Sequence, residues 1–217
     1  MYVYRYRDAD PVRSGAAMPL LTAGRHHHTG DGACLLEYVS LLCGERFGDH
    51  PRAVDPSLAQ LGRLINDALS DQTRPQLTLF APELIGTRSR SRRDLVQAAV
   101  AVTLADAGLL LAPEETLFWR LAAEARRLEH RSSRGPGGRR GARSLIARWG
   151  CGPATLASTF QRLRARLPSA TPERDEFLLH TMRSAIRSVH ACLDGPGEST
   201  PTPPAPGPAA TAGQLSG

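Results

Sequence analysis

The spacing of apolar residues is the feature that most constrains how this chain folds. Between Asp31 and Leu193, every sustained apolar run recurs at intervals of three and four positions, and Pro or Gly separates successive runs. A repeat near 3.6 residues places such side chains on one face of a helix, whereas a half-buried strand requires alternation. The pattern predicts an all-α fold, a bundle of about five to seven helices.

The first predicted helix is defined by its ends. Asp31 is a candidate N-terminal cap, residues 33–43 contain no Pro or Gly, and Gly44 is a candidate left-handed stop. Apolar residues cover more than half of the circumference of this helix, which predicts a position inside the bundle.

Four polar side chains on or near this helix have the chemistry of zinc ligands. Glu37 follows Cys34 by one turn, so the carboxylate and the thiol are expected to face the same neighbour. His28 precedes the helix and His50 follows it, and thiolate, imidazole and carboxylate are the groups that bind zinc. The spacing is irregular, and buried packing is the favoured role for Cys34. A zinc site at these four residues is therefore an alternative.

The same region contains a pattern of acidic, apolar, Cys, Gly and His-Pro positions. Its members are Asp31, Cys34, Leu35, Glu37, Gly44, Glu45, Asp49, His50 and Pro51. This pattern resembles a family of actinobacterial and actinophage helical proteins that has no established activity. The resemblance covers roughly residues 26–86 and implies a helical fold and a source, without a function. Relatives often carry Cys at position 53, where this chain has Ala53, so a metal site that used that cysteine would lack a ligand here.

Pro- and Gly-rich stretches predict five segments along the chain. The two ends hold too few apolar residues to offset the entropy of ordering, so they are predicted to be disordered. The predicted segments are a disordered N-terminal segment 1–29, a helical bundle core 30–131, a Gly/Arg linker 132–142, a helical hairpin plus C-terminal helix 143–193, and a disordered Pro-rich tail 194–217.

Local signals place several residues within the core. Asp55 followed by Pro56 predicts a helix start, an acidic cap and then Pro in the first turn. Asn66 and Asp67, near the end of that helix, are expected to bond the local backbone. Residues 94–111 are apolar almost without a break, which predicts the most buried helix of the bundle.

The following predicted helix begins with Pro113, Glu114 and Glu115, so that two acids lie at its positive end. Its core face is predicted to include Phe118 and Trp119, together with Leu121 and Leu128 at helical spacing.

The charge of the chain favours anionic partners and excludes some chemistry. All 27 basic residues are Arg, and the formal net charge is +6. Without Lys, the chain has no phosphate-binding loop of the G-x-x-x-x-G-K type and no Schiff-base lysine. An arginine run at residues 88–93 is interpreted as a solvated helix entry in preference to a binding patch.

Residues 143–167 predict a helix, a tight turn around Gly150 and Gly152, and a second helix. This layout is typical of helix-turn-helix units, whose second helix enters the major groove. An ordinary helical hairpin with Arg on its solvent-exposed face would have the same sequence pattern. The candidate nucleic-acid-binding residues are Arg139, Arg140, Arg143, Arg148, Thr155, Ser158, Thr159, Arg162, Arg164 and Arg166.

The function favoured by these patterns is that of a non-catalytic helical interaction or regulatory protein, with a protein partner or self-association. Four scattered cysteines without a C-x-x-C pair predict a reduced, cytosolic protein, and no membrane association or cofactor beyond zinc is expected. Recognisable catalytic motifs such as H-E-x-x-H or G-x-S-x-G do not occur, so an enzyme is disfavoured. DNA binding through residues 143–167 is the first alternative, and the zinc-binding module is the second.

Overall fold

The computed structural model describes residues 18–132, 150–169 and 171–194, which form an all-α bundle and confirm the predicted fold class. Two short 3₁₀ segments, at residues 29–31 and 74–80, accompany the α-helices. Seven α-helices lie within the described ranges: α1 Leu35–Leu42, α2 Pro56–Ala68, α3 Ala81–Leu84, α4 Arg93–Leu111, α5 Thr116–Ser132, α6 Pro153–Arg164 and α7 Pro172–Asp194.

Helix α4 is the centre of the bundle. It packs along α5 and α7 and also contacts α2 and α6. Its Val96, Val100 and Leu104 are fully buried, as the apolar run at residues 94–111 predicts. By length and composition alone α4 is apolar enough to cross a membrane, and half of that apolar stretch is buried between its neighbours. A core helix of a bundle has the same composition.

Helices on both sides of the predicted linker contribute to one hydrophobic core. Helix α6 packs against α2 and α4, and α7 packs against the same two helices. Phe160 of α6 and Met182 of α7 belong to the same buried cluster as Leu104 of α4. The linker lies outside the described residues except for Ser132, the last residue of α5. The described parts of segments 30–131 and 143–193 therefore share a core.

Two predicted helix ends are confirmed. The side chain of Asp55 accepts a hydrogen bond from the Ser57 amide at 2.8 Å, and Pro56 occupies the first turn of α2. At the end of α1, Gly44 has a φ of +64° and its amide donates to the Leu41 carbonyl at 3.0 Å. A left-handed residue at this position favours glycine because a Cβ would be strained there.

The predicted start of α1 is wrong. Asp31 lies in the first 3₁₀ segment, and α1 begins at Leu35 with Cys34 as the capping residue. Glu37, in the first turn, accepts a hydrogen bond from the Cys34 amide at 2.7 Å. A carboxylate from inside the helix therefore satisfies the amide at its start, and the acid that precedes the helix does not.

The prediction of a disordered segment 1–29 is wrong for residues 18–29; the first 17 residues lie outside the described ranges. Leu21 is buried in the core, and it forms an isolated parallel bridge with Ala33. The Thr22 amide donates to the Ala33 carbonyl at 2.8 Å, and the Ala33 amide donates to the Leu20 carbonyl at 3.0 Å. Apolar burial and backbone pairing together hold this segment against the bundle.

Trp119 does not belong to the core, contrary to prediction. It is 53% exposed, and its indole Nε1–H donates to the Pro113 carbonyl at 2.8 Å. The buried face of α5 is formed instead by Phe118, Leu121 and Leu128, among others.

Candidate functional site

Glu37 is the centre of a buried polar network at the start of α1. Its side chain has no exposure to solvent. Oε1 accepts a hydrogen bond from the His26 amide at 2.8 Å, and Oε2 accepts from the Cys34 amide at 2.7 Å and from His26 Nδ1 at 2.8 Å. Three N–H donors converge on one carboxylate, which is how proteins accommodate a buried carboxylate.

His26 links Glu37 to a hydroxyl group. Because a carboxylate oxygen accepts hydrogen bonds, His26 Nδ1 carries the proton of that contact, and the other nitrogen of the uncharged ring is left as an acceptor. That nitrogen, Nε2, lies 2.8 Å from Thr22 Oγ1. The result is a hydroxyl–imidazole–carboxylate chain of hydrogen bonds formed by Thr22, His26 and Glu37. Both Thr22 and His26 are partly exposed, so this end of the chain lies at the protein surface.

Helix α2 fixes the backbone of this segment. Asn66 Nδ2 donates to the Thr22 carbonyl at 3.0 Å, and Asn66 Oδ1 accepts from the Leu35 amide at 3.1 Å. Asp67 Oδ1 accepts from the Gly24 amide at 2.8 Å. The prediction that Asn66 and Asp67 bond the local backbone is wrong, because each of them joins α2 to a distant segment.

The four predicted zinc ligands do not form one cluster. Cys34 and Glu37 are brought together, as predicted, but His28 lies on the exposed side of the first 3₁₀ segment. The His50 side chain is 78% exposed, and its Nδ1 lies 2.7 Å from Asp49 Oδ1. Over residues 18–132, 150–169 and 171–194, no group of three or more His, Cys, Asp or Glu side chains is placed to hold a metal ion.

His26 is the residue of this polar network that the four predicted zinc ligands do not include. Three consecutive histidines stand at 26–28, and only His28 is among the predicted ligands. Only the tertiary contact with Glu37 distinguishes His26 from its neighbours. Nothing in the sequence signals Thr22, because a lone threonine in a loop has no periodicity or motif.

Burial suppresses the acidity of two thiols. Loss of hydration raises the pKa of Cys34 to about 12, and the charge of Glu37 acts in the same direction. Burial also raises the pKa of Cys151 to about 12, with a smaller contribution from Glu124. The other two thiols, Cys43 and Cys192, are partly exposed, and burial raises their pKa as well.

We expect the alkylation of the four cysteines to follow their exposure. The thiolate is the reactive species, and at about pH 8 a thiol of pKa about 12 supplies very little of it. Iodoacetamide should therefore modify Cys43 and Cys192 well before Cys34 and Cys151 in the folded protein, as read by peptide mass mapping. Denaturation should abolish the difference. Fast labelling of Cys34 in the folded protein would contradict its burial.

Helix α6 presents few side chains that could form hydrogen bonds with the base edges of DNA. Thr159 is fully buried, so the prediction that it contacts bases is wrong. Ser158 is exposed, and its Oγ donates to the Thr155 carbonyl at 3.0 Å. Thr155 is partly buried. The exposed face near the start of α6 therefore offers little hydrogen-bonding capacity for a base edge.

The arginines at the end of α6 face the start of α5. Arg166 pairs with Glu115 at 3.0 Å and with Glu114 at 3.4 Å, and Arg162 lies 3.9 Å from Glu115. Arg164 is exposed. The ion pairs place acidic groups beside Arg162 and Arg166, two of the three predicted phosphate-binding arginines in α6 and the turn after it. The remaining candidates, Arg139, Arg140, Arg143 and Arg148, lie outside the described residues.

An open cavity of about 560 Å³ lies between the turn after α1 and the loop after α3. We call it the arginine pocket, and its lining residues are Arg52, Ala53, Gly86, Arg88 and Arg90. Its three arginines are exposed to solvent. A volume of this size falls within the range of small-molecule sites in proteins.

Hydrogen bonds between the two loops fix the walls of the arginine pocket. The Ala53 carbonyl accepts from the Gly86 amide at 3.1 Å and from the Arg88 amide at 3.3 Å. Thr87 is fully buried, and its Oγ1 accepts from the Asp55 amide at 3.1 Å. Arg52 and Arg88 are thereby held on adjoining backbones, although they are 36 positions apart in the sequence.

The guanidinium groups of the arginine pocket lack acidic partners within the part of the chain that the structure describes. Arg88 reaches the Arg52 carbonyl at 3.5 Å, a long contact. Glu45 accepts from the Arg52 backbone amide at 2.8 Å, so its carboxylate bonds the backbone of Arg52 and not the guanidinium group. Arg92 differs from them, because it donates to the Cys192 carbonyl at 2.6 Å and so joins the loop to α7.

The described residues therefore offer two candidate sites. One is the arginine pocket, and the other is the hydroxyl–imidazole–carboxylate chain of Thr22, His26 and Glu37. Comparison with known proteins found no matching family model, curated sequence or solved structure.

Proposed function

We propose that this chain is a cytosolic helical protein that acts by binding, and that its partner is a phosphate-bearing ligand held in the arginine pocket. The observation that carries the proposal is the set of three exposed guanidinium groups, Arg52, Arg88 and Arg90, around one preformed cavity. Four unpaired cysteines support a reducing compartment.

The chemistry of the pocket favours phosphate over other anions. A guanidinium group is planar, always charged and able to donate two parallel hydrogen bonds to one phosphate. The three arginines line one cavity and have no carboxylate partner in the described part of the chain, which leaves their charges available to a ligand. The cavity of about 560 Å³ suits a ligand with several phosphates, and the formal net charge of +6 favours its approach.

We expect tripolyphosphate to bind the protein and each pocket arginine to contribute. Replacing Arg52, Arg88 or Arg90 by Ala should weaken binding about tenfold per site, since a charge-assisted hydrogen bond contributes about 1.5 kcal/mol or more. Isothermal titration calorimetry at low salt measures the affinity. Inorganic phosphate should bind more weakly than tripolyphosphate because it reaches fewer of the three guanidinium groups.

The matched control is Arg120→Ala, which removes the same charge from the exposed face of α5, away from the pocket. It should change tripolyphosphate affinity less than twofold if contact matters more than net charge, in keeping with the screening of surface charges. Equal losses in Arg120→Ala and the pocket variants would contradict the proposal. Duplex DNA binding that depends on Arg164 and not on the pocket would instead support the helix-turn-helix alternative.

A further inference from the structure

The hydroxyl–imidazole–carboxylate chain has the connectivity of an activated nucleophile. We propose that Thr22 is a nucleophile activated by His26 and Glu37, and that it accepts an acyl group from small activated esters. This inference does not depend on the arginine pocket. It goes beyond the proposed binding function and assigns a reaction to the segment that precedes α1.

The distances satisfy the first requirement of such chemistry. Thr22 Oγ1 lies 2.8 Å from His26 Nε2, and His26 Nδ1 lies 2.8 Å from Glu37 Oε2. A base within hydrogen-bonding reach of a hydroxyl, itself oriented by a third group, is the arrangement that activates serine and threonine. Glu37 fixes the ring so that Nε2 faces the hydroxyl with its lone pair, and its charge stabilises the imidazolium that forms when the proton is taken.

Hydrogen bonds hold the backbone of Thr22 and of His26, which meets the second requirement, preorganisation. The Ala33 carbonyl accepts from the Thr22 amide at 2.8 Å, and Asn66 holds the Thr22 carbonyl at 3.0 Å. The His26 backbone is itself bonded to Glu37 at 2.8 Å. Because the backbone of both residues and the ring of His26 are held in place, the hydroxyl and the imidazole are already in reactive geometry before an ester binds.

Gly32 leaves room for the hydroxyl. A Cβ at this position would lie 2.3 Å from Thr22 Oγ1, so a side chain there would displace the nucleophile. Gly32 also has a φ of +103°, a backbone conformation that other residues rarely adopt. Thr22 is partly exposed, and Leu20, two residues earlier, is 78% exposed. A small ester can therefore reach this segment from solvent.

The reaction balances with an activated ester as the only co-reactant. Thr22 Oγ1 forms a bond to the carbonyl carbon, and His26 Nε2 takes the hydroxyl proton. The bond from that carbon to the leaving oxygen breaks, and the alcohol or phenol leaves as its anion or with the proton from His26. Water can then attack the acyl-threonine with His26 again as base, which regenerates the hydroxyl. A positioned general base contributes about 10²- to 10⁴-fold to each step.

The test uses the full chain and p-nitrophenyl acetate as the acyl donor. We expect a burst of p-nitrophenol of about one equivalent per chain, the signature of an acyl-enzyme. Peptide mapping after an acid quench should find the acetyl group on Thr22. Thr22→Val keeps the shape of the side chain and removes the hydroxyl, and it should lower the burst rate at least tenfold. Thr22→Ser should retain the burst.

Control variants separate the reaction from background acylation and from unfolding. His27→Ala removes an exposed neighbouring imidazole, and Thr78→Val removes a hydroxyl that donates to a backbone carbonyl instead of a histidine. Both should react like the unaltered protein. An unchanged burst rate in Thr22→Val, or acetyl groups spread over the histidines, would overturn the proposal. Circular dichroism and resistance to trypsin at Arg25 show that each variant keeps its fold, so a lost burst in a folded Thr22→Val supports the proposal.

Discussion

Replacing Gly108 by Ala is expected to lower the free energy of unfolding by about 3 kcal/mol, at the upper end of the cost of overpacking a core. A Cβ at position 108 would lie 2.3 Å from Phe118 Cδ1 and 2.4 Å from Phe118 Cε1. Gly108 faces the core from α4, and Phe118 is fully buried on α5. Relief requires the two helices to separate or the ring to leave its rotamer, and both changes disrupt the packing of α4 against α5.

Helix propensity alone predicts the opposite change in stability for Gly→Ala. In an exposed helix interior, Gly→Ala stabilises by about 1 kcal/mol. Gly62→Ala in α2 is therefore the control, because the nearest atom to its new Cβ is Leu36 Cδ2 at 3.2 Å, the end of a flexible side chain. We expect its effect on stability to stay within about 1 kcal/mol of zero.

Urea unfolding followed by circular dichroism measures both variants. Phe118→Leu in the Gly108→Ala background should recover part of the loss, since a smaller side chain relieves the overlap. The two substitutions should therefore be non-additive, as expected for residues in contact. Unaltered or increased stability in Gly108→Ala would show that α4 and α5 do not approach this closely.

Local signals explain why the helices were predictable. Asp55 and Pro56 define the start of α2 through contacts that span two residues, and Gly44 ends α1 through its own backbone angles. The apolar period that predicted α4 reflects a helix with neighbours on several sides. Each of these features depends on residues within a few positions, so the sequence contains the whole signal.

Trp119 shows the limit of that reasoning within a single helix. The buried stripe of α5 recurs at Phe118, Leu121, Ala122 and Leu128, and Trp119 lies about 100° around the helix from Phe118. The sequence pattern does not distinguish a large aromatic residue beside the buried stripe from one within it. The width of the buried face depends on the neighbouring helices, and α5 packs chiefly on α4.

Both candidate sites depend on contacts that are distant in sequence. The arginine pocket joins Arg52 to Arg88, and the sequence displayed only the second of these, as part of an arginine run. The prediction that this run is a solvated helix entry agrees with the exposure of Arg88. It gives no indication that Arg52 lines the same pocket. Likewise, Glu37 and Cys34 were predicted to be close because they share a helix, whereas the loop that delivers His26 to them follows no period.

Glu37→Gln is expected to lower the free energy of unfolding by about 3 kcal/mol, because a buried network loses its charged acceptor. The carboxylate accepts from the Cys34 amide, the His26 amide and His26 Nδ1, all at 2.7–2.8 Å. Gln is isosteric but turns one acceptor oxygen into an NH₂ group that faces N–H donors. At least one buried donor then loses its partner, and the hydrogen bonds that remain are no longer charge-assisted.

The loss should be local first, since Glu37 holds both the backbone and the ring of His26 in the segment that precedes α1. Trypsin should cleave after Arg25 faster in Glu37→Gln than in the unaltered protein, at a urea concentration where both retain their helical circular dichroism. The matched control is Glu45→Gln, whose carboxylate accepts from the Arg52 amide at the surface. Its cost should stay near 1 kcal/mol or below, as for an ordinary exposed hydrogen bond. Equal costs at positions 37 and 45, or unchanged cleavage at Arg25, would contradict the anchoring role of Glu37.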